Sequence, residues 1–250
     1  MHVGVWLPNC RHLATPEIIR HTAVRAGQLG YDSVWVSDHV VVPNANVDRI
    51  GEAIYDPLVT LAVVAGATSR VRLGTTVLIV PYRNAVVTAK MVSTLDALSG
   101  GRVVLGIGAG WMAEESAMLG VPFAERGPMT DEYLAAMRAL WTSPAPSFAG
   151  KYTQFSGLHF EPKPLQKPHP PIWVGGHGRA SLRRRRDRGR LASHQSLAGG
   201  TARRAGRAGP ALPGPRPRGA PDGGAAQRPR RAAAGPARGD LHPRRERARG

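Results

Sequence analysis

Arg102-Val103-Val104-Leu105-Gly106-Ile107-Gly108-Ala109-Gly110-Trp111 carries no polar face from Val103 onward before it opens into glycines. A strand with one solvated face would alternate apolar and polar residues. A run that is apolar on both faces belongs to a parallel sheet covered by helices. Working outward, the pattern repeats. Gly100-Gly101 closes a helix that Asn84 caps and that runs through Val86, Ala89, Met91 and Leu95. Before it lies the strand Val71-Arg72-Leu73-Gly74-Thr75-Thr76-Val77. Asp56-Pro57 opens a helix over Leu58 to Thr68 by cap-plus-proline chemistry. Ser33-Val34-Trp35-Val36-Ser37 is a buried strand with Asp38-His39 at its C-terminal end. Thr15-Pro16-Glu17 starts a helix through Ile18, Ile19, Ala23 and Ala26 that stops near Gly30. Val3-Gly4-Val5-Trp6-Leu7 is a first strand, stopped by Pro8-Asn9.

Toward the C-terminus, Thr130 to Trp141 is helical. Phe148 to Phe160 is aromatic and punctuated by glycine, and reads as a hairpin or extended excursion. A proline-rich connector, Pro162 to Pro171, leads to a last strand, Ile172-Trp173-Val174. Strands and helices thus alternate at βαβ spacing, and no dinucleotide-binding glycine fingerprint is present. The prediction is an α/β fold, a TIM (β/α)8 barrel.

The two parts of the chain differ in composition. Residues 1–180 hold 15 Lys and Arg against 13 Asp and Glu. Residues 181–250 hold 19 Arg, no Lys, 4 acids and no Val, Ile, Phe, Tyr or Trp. Such a segment cannot bury enough apolar surface to offset the entropy of ordering. The expected division is therefore a partial barrel with its cofactor site over 1–184 and a disordered basic tail over 185–250. Arginines alone favour salt-dependent phosphate binding. The tail has no aromatic residue to stack on bases, so no specific nucleic-acid partner is expected. Cys10 is the only cysteine, which excludes a disulfide framework and a thiolate metal cluster. No basic region followed by an apolar one opens the sequence, and no apolar run reaches the ~20 residues that span a bilayer. A soluble cytoplasmic protein with no membrane partner is the default expectation.

Barrel enzymes place their chemistry at the C-terminal ends of strands. Those ends carry Asp38-His39, Thr75-Thr76, Gly106 to Gly110 and Gly175-Gly176-His177-Gly178. Glycine-rich exits let backbone N–H groups approach an anion, which suits a phosphate-bearing cofactor; a tight turn without a ligand is the alternative. Asp38-His39 is the candidate for protonic chemistry, because histidine titrates near neutrality; the alternative is a histidine that only hydrogen-bonds a strand end. Trp6, Trp35 and Trp173 read as core or cavity wall before cofactor stackers. Glu114-Glu115 read either as paired carboxylates near the mouth or as a solvated first helical turn. No metal-ligand spacing and no nucleophile elbow is present.

Val34-Trp35-Val36-Ser37-Asp38-His39, Arg72-Leu73-Gly74-Thr75-Thr76-Val77, Leu105 to Trp111, Gly120-Val121-Pro122-Phe123 and Pro171 to Gly176 closely resemble the bacterial-luciferase-like superfamily. The most similar branch is the actinobacterial one that uses coenzyme F-420, a 5-deazaflavin. The resemblance spans about residues 1–184, with motifs in order. It implies a barrel that holds the reduced deazaflavin, or FMN in sister branches, at its C-terminal mouth. It implies a catalytic role for His39 beside the reactive ring, with Asp38 next to it. A bulge with a non-prolyl cis peptide at Thr76-Val77 would lie behind the ring. Gly106, Gly108, Ala109, Gly110, Gly175, Gly176 and His177 would meet the phosphate-bearing tail. Where sugar-phosphate dehydrogenases of this branch carry a glutamate, Trp111 stands, so that activity is not expected. The implied function is hydride transfer between F-420 and a small organic substrate; an FMN-dependent monooxygenase is the alternative. An intact homologue is compatible with a homodimer.

The tail resembles GC-rich coding DNA read out of frame. Arg190 to Ala205 can be encoded so that a shift of one nucleotide reads Asp-Trp-His-Pro-Ile-Lys-Ala-Ser-Pro-Glu-Glu-Leu-Arg-Ala-Gly. The superfamily carries a similar Trp-His-Pro strand end and Ser-Pro-Glu-Glu helix start at this distance from the Gly-Gly turn. Arg183–Arg186 marks the slip in this reading. The remaining alternatives are an inactive truncated remnant and a nucleic-acid-binding basic tail protein.

Overall fold

The computed structural model of the protein describes residues 2–176 and 178–188. His177 and residues 189–250 of the expected tail lie outside the described residues.

The predicted caps close the predicted helices. In α1 (Pro16–Gln28) the Thr15 hydroxyl accepts from the Ile18 amide at 3.2 Å. In α3 (Pro57–Ala67) the Asp56 carboxylate accepts from Leu58 and Val59. In α4 (Ala85–Leu98) Asn84 accepts from Val86 and Val87. Each side chain satisfies amides that a helix start leaves without partners. Strands β1 (Gly4–Trp6), β2 (Ser33–Val36), β3 (Arg72–Thr75), β4 (Leu78–Ile79), β5 (Val103–Gly108) and β8 (Ile172–Val174) form one sheet in which every pair is parallel. β3 and β4 both pair with β5, at Leu73 to Val103 and at Leu78 to Ile107. They are one barrel strand interrupted at Thr76-Val77, where the peptide is cis. The spatial order is β1, β2, β3 with β4, β5, β8, which makes five barrel positions.

Between β2 and α3 the chain forms a short helix, α2 (Val47–Ile50). After β5 come α5 (Ala113–Met118) and α6 (Arg126–Thr142). Helix α2 was not legible in the sequence, because four residues show no period, whereas α5 starts at the helical turn that Glu114-Glu115 offered as one of two readings. Helix α6 begins four positions before the expected Thr130, since Pro128 is tolerated in a first helical turn. The excursion is a hairpin of β6 (Phe148–Ala149) and β7 (Gln154–Phe155), antiparallel. Glu132 of α6 accepts from the amides of Lys151, Tyr152 and Thr153 and ties the hairpin down. Helix α7 (Arg179–Arg188) follows β8.

One face of the sheet packs Val34, Val36, Leu73, Leu105 and Ile107 against Ile19, Leu61, Val92, Leu134 and Trp141 of the helices. The Trp141 indole donates to the Ala89 carbonyl at 3.0 Å and links α6 to α4. Trp35 fills the other face, 4.8 Å from Trp173. Gly74 on the neighbouring strand lies directly under the Trp35 ring, where any Cβ would collide with it. The architecture is a TIM-type α/β barrel of parallel strands, incomplete among the described residues. No described helix is long and apolar enough to cross a membrane.

Candidate active site

Parallel pairing in matched register puts the C-terminal strand ends side by side. The Thr76 amide donates to the Val36 carbonyl at 2.7 Å, and the Gly175 amide to the Ile107 carbonyl at 2.8 Å. Asp38, Thr76, Val77, Gly108 and Gly175 therefore share one edge of the sheet, as expected for a mouth.

Asp38 is 3% exposed. Its carboxylate accepts from the Ile79 amide at 2.8 Å and from Arg83 through two bonds of 2.7 and 2.9 Å. Arg83 also donates to Asp56 at 2.7 Å. Burial disfavours the Arg83 charge, but the hydrogen bonds that it donates to Asp38 and then Asp56 more than restore it, so Arg83 stays cationic. With its acceptors engaged by Arg83 and Ile79, Asp38 anchors the segment after the bulge.

His39 has a different partner. Its Nδ1 lies 2.6 Å from Glu115 of α5, and Glu115 is 0% exposed. The same carboxylate accepts from the amides of Val40 at 2.7 Å and Val41 at 3.3 Å. Burial alone would raise the Glu115 carboxyl, but His39 and these amides hold it below the usual carboxylate range. An ionised carboxylate only accepts, so Nδ1–H of His39 donates to it and Nε2 carries the lone pair. The His39 side chain is 11% exposed, and Nε2 has no partner among the described residues. The sequence offered two readings of Glu114-Glu115; both lie in a first helical turn, Glu114 exposed as the solvated reading expects, while Glu115 is buried and paired with His39. No local signal marked its pairing with His39, because the two are 76 positions apart.

Trp111 stands beside this pair, 48% exposed and edge-on to His39 at 5.9 Å between ring centroids. The Arg49 guanidinium lies over the Trp111 ring at 4.5 Å. Tyr82 is buried nearby, and burial foremost pushes its hydroxyl up to about 12, so it stays neutral at working pH.

The glycines at the strand exits have a packing reason. A Cβ on Gly108 would lie 2.5 Å from Val77 Cγ2, and one on Gly175 would lie 2.6 Å from Val77 Cγ1. Gly106 passes directly over the Thr75 carbonyl and admits no side chain either. The bulge thus drives Val77 between two glycine strands. The Gly175 amide is already used in the sheet. The amides of Ala109 and Gly110 have no hydrogen-bond partner among the described residues. Gly176 has a positive φ of 95° and closes the turn after β8. Among the described residues, no group of three or more His, Cys, Asp or Glu could hold a metal ion.

The family model of the luciferase-like monooxygenases matches residues 1–205. An uncharacterised protein of Mycobacterium tuberculosis is 36% identical over 190 residues, which cover 71% of this chain and 66% of that one. The F420-dependent glucose-6-phosphate dehydrogenase of Intrasporangium calvum is 35% identical over 179 residues, covering 69% and 52% of the two chains. Among solved structures, the FMN-bound oxygenating constituent of a 3,6-diketocamphane monooxygenase of Pseudomonas putida aligns with a TM-score of 0.59 at 25% identity, over 70% of this chain and 51% of that one. The matched part thus spans about two thirds of the first relative and about half of the other two. The chain belongs to the luciferase-like family of oxidoreductases and monooxygenases, whose members here use either F-420 or FMN.

Proposed function

We propose that this chain is the cofactor-bearing part of an F-420-dependent oxidoreductase acting on a small organic substrate, with His39 as its acid–base residue. The observation that carries the reading is the His39–Glu115 pair at the strand ends. A buried, ionised carboxylate holds Nδ1, so Nε2 is turned into an acceptor with no other work in the structure. The residues present suit the ring end of a deazaflavin: Val77 and Thr76 offer an apolar and polar backing, and His39 offers Nε2. The free amides of Ala109 and Gly110 suit the phosphate-bearing tail; Gly106, Gly108, Gly175 and Gly176 shape the walls. When bound, the deazaflavin supplies the hydride donor or acceptor. His39 accepts or returns the substrate proton at Nε2. Glu115 keeps the ring in one tautomer and balances the imidazolium charge. Trp111 shields the mouth from water and sets an aromatic rim for an apolar substrate. Asp38 holds the Val77 bulge through Ile79 and Arg83.

FMN-dependent oxygenation is the second reading, favoured by the FMN-bound monooxygenase neighbour. Titration of the protein with F-420 and with FMN, followed by tryptophan emission, discriminates the two. Saturable quenching by F-420 at lower concentration than FMN is expected, followed by anaerobic bleaching of the oxidised deazaflavin by an alcohol, or return of its absorbance when the reduced form meets the matching ketone. Binding of neither cofactor refutes both readings.

A further inference from the structure

We propose that Arg49 binds the anionic end of the substrate, and that the substrate is a short 2- or 3-hydroxy acid, or the matching oxo acid, whose carboxylate pairs with Arg49 and whose hydroxyl meets His39. The proposal rests on the hydride-transfer reading above and adds the substrate class to it.

Arg49 belongs to α2, in the connection between β2 and α3. Its side chain is exposed, and its guanidinium carbon lies 4.5 Å from the centre of the Trp111 ring. A cation held over an aromatic ring keeps a long side chain in place while its N–H donors stay available. Among the described residues no hydrogen bond or ion pair uses those donors. The arginines that hold the fold together behave differently: Arg83, Arg102 and Arg184 are at least half-buried and donate to several acceptors each. Asp48 and Glu52 flank Arg49 in sequence, yet both are exposed and neither pairs with it.

The segment that carries Arg49 is tied down at both ends. Before α2, the Val40 and Val41 amides donate to Glu115, the partner of His39. After α2, the Arg11 amide donates to the Ala53 carbonyl at 3.2 Å and the Tyr55 amide to the Asn9 carbonyl at 2.9 Å. The Asn9 side chain donates to the carbonyls of Ser37 at 2.8 Å and Tyr55 at 3.0 Å, which joins the exits of β1 and β2 to this segment. Ile50 is buried beside Arg49, and Gly51, at a φ of 104°, passes so close to the Arg11 backbone that a Cβ would collide with it. Arg49 is therefore presented at the mouth from a fixed backbone, and little freedom is lost when it binds.

The geometry sets the size of the substrate. Contacts of 4.5 Å from Arg49 to Trp111 and 5.9 Å from Trp111 to His39, taken end to end, cap the cation-to-imidazole distance at about 10 Å. Hydrogen bonds of about 3 Å at each end then leave room for a carboxylate and a hydroxyl on adjacent carbons, or one carbon further apart. One guanidinium balances one carboxylate. A phosphate dianion would bring a second negative charge toward the ionised Glu115, with no second cation over the Trp111 ring among the described residues. The exposed part of Trp111 is left for the apolar side chain of the acid. When the hydroxy acid is oxidised, its carbinol C–H and O–H bonds break. The hydride passes to the oxidised deazaflavin, the proton passes to Nε2 of His39, and the carbon is left as a ketone. Arg49 holds the carboxylate and makes no bond to the reacting carbon.

The test titrates the full chain with 4-methyl-2-oxopentanoate and with its primary amide, alone and with oxidised F-420, where no turnover can follow because both partners are already oxidised. Tryptophan emission and calorimetry read the binding. The acid should bind about 10- to 100-fold more tightly than the amide. Arg49→Gln should abolish that preference, and Arg49→Lys should restore part of it, since an ammonium keeps the charge without the planar fork. Arg72→Gln removes the same charge at the exposed start of β3, the opposite end of the sheet, and should leave the preference intact. Equal binding of acid and amide, binding of neither, a preference that survives Arg49→Gln or one that is lost in Arg72→Gln overturns the proposal. Inorganic phosphate that binds more tightly than the acid overturns the carboxylate assignment. An acid preference without cofactor binding upholds Arg49 as the anion residue and refutes the hydride reading, whereas cofactor binding without an acid preference refutes the role of Arg49 alone.

Discussion

Replacing Glu115 by Gln isolates what the buried carboxylate does. The amide keeps one acceptor oxygen, which the Val40 and Val41 amides will claim. Its nitrogen then faces His39, so the bond to Nδ1 must reverse and Nε2 becomes a donor. A hydrogen bond to a charged partner contributes about 1.5–3 kcal/mol, which is the expected loss at neutral pH. Glu115→Ala also strands the two amides and should cost about 3–5 kcal/mol. The sign of the pH dependence follows from the depressed carboxyl. Its contribution is complete above the ordinary carboxylate pKa and is lost as pH falls through the lower folded-state value. The stability gap between the two proteins should therefore be widest near neutrality and close in acid. Urea unfolding followed by tryptophan emission, repeated across a pH series, measures it. A gap that does not change with pH, or a Gln variant as stable as the parent at neutrality, would refute the ionised Glu115–His39 pair.

His39→Asn should lower turnover by about 10²–10⁴-fold while its amide keeps the bond to Glu115; unchanged turnover would return His39 to a structural role. His39→Ala should lose a further 1–3 kcal/mol or so of stability, because Glu115 loses a buried donor. Gly108→Ala should cost about 1–3 kcal/mol by forcing a Cβ against Val77, and Val77→Ala in the same chain should recover part of it; two additive losses in thermal melts would argue against that contact. Arg83→Met should cost about 3–5 kcal/mol by leaving Asp38 buried without its cation, and a melting temperature equal to the parent's would show that the pair contributes nothing.

The strand and helix order needed only the sequence. Thr15, Asp56 and Asn84 cap the helices they were expected to cap, and the strands at Ser33, Arg72, Val103 and Ile172 lie within the apolar runs that announced them. These signals are local: a cap acts over three residues, and an apolar run is its own evidence. The fold class and the placing of His39 at a strand end were legible for the same reason. The tertiary structure alone decided what the site residues do. Asp38 and His39 are neighbours in sequence, yet one turns to Arg83 and the other to Glu115, 45 and 76 positions away. The glycines looked like an anion cradle, but Gly108 and Gly175 are bare because Val77 fills the space between them. A carboxylate's burial, a histidine's tautomer and the clearance above a Cα depend on atoms brought together from distant segments, and nothing in the local sequence carries that information.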